Sequence, residues 1–146
     1  MKLKNQLRLN NLVHKRVLHK NRKGKTSEFS VTDRVSLEVL QDIQENGQKN
    51  YKPIELTEAY VEKAGFELYD YEDDEDEGLF RSYRMFLPGR KYYMTVELNP
   101  NNLHSLGFDF RWHDSEVAVS QIKYVHELQN FYYAVTGQEL EFKALT

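Results

Sequence analysis

The chain has 146 residues, 40% of them hydrophobic and 13% aromatic, enough apolar side chain to bury a core and too much for a wholly disordered chain. Seven glycines and three prolines exclude collagen-like and Pro-rich classes, and the lack of cysteine excludes a disulfide framework, a thiolate zinc site and a thiol nucleophile. The net charge of −3 conceals a segregation: residues 1–34 carry ten Lys/Arg against Glu28 and Asp33, a net of +8, while residues 35–146 carry ten against twenty-one Asp/Glu, a net of −11.

The N-terminus has no apolar stretch behind its first lysines, because Arg8, Lys15, Arg16 and Lys20 interrupt every candidate, so it does not read as a secretory signal. The charge-free runs 98–108 and 128–138 are polar and far too short to span a bilayer. The expectation is a soluble cytoplasmic protein with no membrane contact. It is one α+β domain over residues 1–146, with a basic hairpin in 1–34 and mixed sheet and helices in 35–146.

Leu7, Leu9, Val13 and Val17-Leu18 read as an imperfect strand, and Phe29 and Val31 alternate with Glu28, Ser30 and Thr32 as its partner. The turn falls at Asn21-Arg22-Lys23-Gly24, residues that tolerate positive φ. Apolar spacing then predicts a helix from Leu37 to Glu45 ended by Asn46-Gly47, and a short one over 58–64 with Thr57 as N-cap and Gly65 after its end. Strands follow over 66–71 and 79–87, with the acidic run between them as a mobile loop closed by Gly78. Strict alternation through Tyr92, Met94, Val96, Leu98 and through Leu106, Phe108, Phe110, Trp112 predicts two more antiparallel strands with one buried face. From Ser120 to Thr136 the period becomes helical, with an apolar stripe of Ile122, Val125, Leu128, Phe131 and Val135, and Gly137 terminates it. The fold class is therefore α+β: an antiparallel meander packed against a long C-terminal helix, with an N-terminal β-hairpin and short helices.

No catalytic template fits. The five histidines lack the His-Glu-x-x-His spacing, and no nucleophile elbow, phosphate loop or dinucleotide fingerprint is present. No catalytic residue, metal site or cofactor is assigned. Three surfaces remain as binding candidates. Lys15, Arg16, Lys20, Arg22, Lys23 and Lys25 place six positive charges in eleven positions, a phosphate contact on one reading and a solubilising loop tip on the other. Asp70 and 72–77, with Asp73, Asp74, Glu75 and Asp76 at their centre, form a protein contact, a phosphate mimic, a partner for the basic tip or a solvated loop. The spacing does not suit an EF-hand. His126, Gln129, Asn130 and Tyr133 lie at i, i+3, i+4 and i+7, one polar stripe that is either a protein contact or an ordinary solvent face. A weaker candidate is the outer sheet face, where Lys91, Tyr93 and Arg111 would make a basic-aromatic platform beside Glu97 and Asp109.

The blocks Leu7-Arg8-Leu9-Asn10-Asn11-Leu12-Val13, Tyr51-Lys52-Pro53-Ile54-Glu55-Leu56-Thr57-Glu58 with Gly65-Phe66, and 124–140 (YVHELQNFYYAVTGQEL) resemble a family of small uncharacterised bacterial and prophage-encoded proteins. The family has no assigned activity to transfer. Its phage association implies the class of small inhibitors of bacterial defence systems. The functional expectation is a non-enzymatic binding protein, a phage-derived inhibitor of a nucleic-acid-guided defence nuclease of the anti-CRISPR class, with a protein or ribonucleoprotein partner. The alternative is an accessory protein that binds RNA or DNA directly through residues 15–25.

Overall fold

The computed structural model describes residues 3, 6–89, 92–110 and 116–143. Lys91, Arg111, Trp112 and His113 lie outside the described residues. The fold is α+β, with two antiparallel sheets and three helices among the described residues, and it groups into two compact units, 1–55 with 124–130 and 56–123 with 131–146.

In the first unit, β1 (Leu12–Lys20) and β2 (Thr26–Arg34) form the expected hairpin, and β3 (Tyr51–Pro53) pairs with the other edge of β1 over three residues only. The strand begins later than the alternation implied. Leu7 lies outside the strand, and Leu9 sits in a turn where Asn10 has a φ of 70°, a left-handed conformation that Asn tolerates better than most side chains. Helix α1 (Leu37–Asn46) starts at Ser36, whose hydroxyl accepts from the Val39 N–H, and stops at Gly47 with φ 77°. Its apolar side chains Val39 and Ile43 join Leu3, Val13, Val35 and Tyr51 in the core of this unit.

The second unit is a five-stranded meander, β4 (Glu67–Asp74), β5 (Gly78–Phe86), β6 (Tyr92–Leu98), β7 (His104–Phe110) and β8 (Glu116–Ile122), in spatial order. Helix α2 (Glu58–Lys63) precedes it. Thr57 occupies the N-cap position without a side-chain cap bond, so its capping role is positional only. Glu58 ties α2 to β5, accepting from the Tyr83 hydroxyl at 2.7 Å and from Arg81 Nη1 at 2.9 Å. Tyr83 is fully buried, and burial, followed by its bond to Glu58, pushes its hydroxyl pKa up.

Three expectations are corrected here. The acidic run is not a long mobile loop: the strands extend through it, and only residues 75–77 form the turn, with Asp74 Oδ1 accepting from the Asp76 and Glu77 N–H groups. The last helix, α3 (Val125–Thr136), starts at 125 rather than 120, and its Val135 is exposed. The residues before it form β8, which the helical reading overlooked. Glu127 Oε1 accepts from the Tyr124 N–H, half of a capping box that sets the start.

The register of β8 depends on Gly107. Leu106 faces Ser120 and Gly107 faces Ala118, leaving Val119 as the extra residue of a bulge, and a Cβ on Gly107 would run into the Val117 carbonyl. Gly107→Ala is expected to cost ~1–3 kcal/mol, read as a lower urea midpoint. An unchanged midpoint would show that the bulge absorbs a methyl group.

Candidate nucleic-acid interface

The basic residues are carried by the β1–β2 hairpin, which extends beyond its own sheet. β3 pairs only with residues 13–15, and the distal part of both strands is exposed or half-exposed. The tip is a hydrogen-bonded turn. Asn21 Oδ1 accepts from the N–H groups of Lys23 and Lys25 at 3.0 and 2.9 Å, and the Asn21 N–H donates to the Lys25 carbonyl. Gly24 closes the loop at φ 77°.

Cross-strand partners point to the same side of a sheet, so the register sorts the six cations. Lys20, Arg22, Lys23 and Lys25 gather at the exposed distal end. Arg16 lies midway on one face and pairs with Glu28 at 2.9 Å. Lys15 lies on the other face at the root, opposite Tyr51, and helps hold the Asp42 carboxyl below its usual range; hydrogen bonds from Asn46 and Tyr51 are the larger causes. Burial and the bond to Asp42 push the Tyr51 hydroxyl up to about 12. Beside this root is a concavity of about 410 Å³ whose lining includes Lys49, Lys52, Gln6 and Tyr124. Four clustered cations are suited to neutralising phosphates in a way that scattered ones are not.

The helical polar stripe is not a surface. His126 and Gln129 are fully buried and Asn130 is half-buried. They grip the segment that enters β1. Gln129 Oε1 accepts from the Leu12 N–H at 2.8 Å while its Nε2 donates to the Asn10 carbonyl at 3.2 Å. Asn130 Oδ1 accepts from Asn11 Nδ2 and Arg8 Nε, and its own Nδ2 donates to the Gln6 carbonyl. His126 Nε2 bonds Gln6 Oε1 at 3.1 Å. These side chains stand in for the strand neighbour that the segment lacks, and His126, Gln129 and Asn130 are thereby occupied as structural groups. Tyr133, the fourth member of the stripe, is exposed and belongs to the second unit.

On the meander, Tyr93 is not an open platform. Its ring stacks on Phe86 with centroids 4.0 Å apart, and the Arg84 guanidinium sits 4.4 Å from it and 4.9 Å from the Tyr69 ring. Asp73, Asp74, Glu75 and Asp76 lie on the acidic hairpin, where β4 is an edge strand. Backbone N–H donors, Glu77 first and Asp76 second, hold the Asp74 carboxyl below its usual range. Carboxylates along an edge strand discourage pairing with another chain, which gives this run a structural use. Among the described residues no group of three or more His, Asp and Glu side chains is placed to hold a metal ion, and no helix is long and apolar enough to cross a membrane. No family model, curated protein or solved structure matches the chain.

The lock predicts two outcomes. Gln129→Leu leaves the buried Leu12 N–H without its partner, at ~1–3 kcal/mol, and the exposed Asn10 loses its bond at a smaller cost, read by urea unfolding. A loss well under 1 kcal/mol would mean that water replaces the amide. Burial, the larger effect in each case, holds His126 and His104 below the ordinary histidine value of 6.5. His126 Nδ1 has no hydrogen-bond partner among the described residues, and His104 Nδ1 accepts from the Asn99 N–H, so neither nitrogen is placed to take a proton. The unfolded chain therefore binds more protons as pH falls below 6.5, and stability present above that value is lost down through the depressed folded values. Urea midpoints at pH ~7.5 and ~5 check this; equal midpoints would contradict it.

Proposed function

We propose that the chain is a non-enzymatic binding protein whose working end is the distal β1–β2 hairpin, and that it contacts RNA or DNA, free or within a ribonucleoprotein. The observation that carries this reading is the clustering of Lys20, Arg22, Lys23 and Lys25 on an exposed, hydrogen-bonded hairpin tip. The setting that fits is an inhibitor of a nucleic-acid-guided defence nuclease of the anti-CRISPR kind. The resemblance to small prophage-encoded proteins supports that setting.

The test is fluorescence anisotropy with labelled RNA and DNA across ~50 to ~200 mM salt. Replacing Lys20, Arg22, Lys23 and Lys25 together by Ser is expected to abolish tight binding and to lower the slope of log affinity against log salt by ~3. Arg16→Ser, at a cation already paired with Glu28, is expected to have a much smaller effect. Unchanged affinity and slope in the four-residue variant would remove the hairpin from the reading.

A further inference from the structure

The hairpin's two faces differ, and the difference points to the form of nucleic acid bound. The inference rests on the reading above and sharpens it. Register places Val13, Lys15, Val17 and His19 of β1 on one face with Ser27, Phe29, Val31 and Asp33 of β2, and Tyr51 of β3 extends the same face. At the root this face is core: Val13 is fully buried and Tyr51 nearly so, packed with Val39 and Ile43 of α1. Towards the tip the apolar pattern continues after its cover has ended. Val17 is half-buried, Val31 is 37% exposed and Phe29 is 48% exposed.

Phe29 stands directly across from Val17, between the Lys15–Val31 and His19–Ser27 pairs. Beyond the root the strands carry no carboxylate on this face: Asp33 stands at the level of Val13, and Asp42 of α1 is engaged by the Tyr51 hydroxyl at the root. Glu28 points to the opposite face, where it engages Arg16. A face meant only to attract a polyanion has no use for an exposed phenyl ring and two β-branched side chains. A ribbon that read a duplex through the major groove would present hydrogen-bonding side chains to the base edges, which Val17, Phe29 and Val31 do not have. An aromatic ring among cations suits unpaired bases, because every base has a π-face and the phosphates beside it meet the positive charge.

We infer that the Phe29 face of the hairpin binds single-stranded nucleic acid, with an unpaired base stacked on the Phe29 ring and the flanking phosphates held by Lys15 on the same face and by Arg22, Lys23 and Lys25 at the tip. Charge complementarity selects this occupant over an apolar protein surface, since Lys15 shares this face and Arg22, Lys23 and Lys25 lie at its distal end.

The test compares a labelled single strand of ~15 nucleotides, oligo(U) or oligo(dT), with a duplex of equal length. The wild-type chain is expected to prefer the single strand. Phe29→Ala is expected to weaken single-strand binding about tenfold or more with the salt slope unchanged, and Phe29→Tyr, which keeps a ring, to retain affinity. Phe29 is half-exposed, so the variants are expected to fold, and circular dichroism checks that they do. Preference for the duplex, or Phe29→Ala binding like wild type while the four-residue tip variant fails, overturns the stacking inference and leaves the tip reading intact. No binding of either form by the wild-type chain overturns both.

Discussion

Everything the hairpin does depends on how its root is held, and the root is held by amides. The chain from Gln6 to Leu12 has turns where a strand neighbour would have satisfied its backbone. Gln129 and Asn130 supply the missing partners from consecutive positions of α3, and Asn11, itself buried, completes the set. A buried N–H or carbonyl left without a partner costs about as much as several apolar contacts contribute, so these residues set where β1 begins. With that start fixed, alternation alone decides which of Lys15 to Lys20 face which way. One residue of slip would exchange the apolar and charged faces of the whole hairpin.

Much of this architecture was legible in the sequence, and the part that was not has a common cause. The hairpin turn could be read because Asn21 and Gly24 carry local turn chemistry. Helix α1 could be read because an apolar period ends at Asn46-Gly47; the Ser36 cap that starts it was not read. The alternation of Met94, Val96 and Leu98 announced β6. The polar lock could not be read, because His126, Gln129 and Asn130 at helical spacing look the same whether they face water or a chain segment more than a hundred residues away. Their partners at Gln6 to Leu12 have no periodicity to betray them. β8 was hidden by the bulge at Val119, which breaks its own alternation, and by Ser120 and Gln121, which continue a helical pattern into Ile122. The acidic hairpin misled in the opposite way. Seven carboxylates look like a loop, yet an edge strand can carry them because its outer side is solvated.

The two charged hairpins are built alike and used differently in this account. Each closes on a side chain that accepts two backbone N–H groups, Asn21 in the basic one and Asp74 in the acidic one. The basic hairpin continues a core face into solvent and carries exposed Phe29 and Val31 along it, a feature that invites a partner. The acidic hairpin terminates a sheet, and its charge protects an edge. Candidate function is therefore weighted towards the first, although the acidic run has the greater charge density.

The most direct test of this account is to titrate the isotope-labelled chain with single-stranded oligo(U) and follow backbone and side-chain amides by heteronuclear NMR. Shift changes concentrated in residues 15–31, with the Gln129 and Asn130 side-chain amides unmoved, are the predicted result: the finger engages and its root stays locked. Changes centred on residues 70–77 or on the meander, or no change anywhere, would contradict the account.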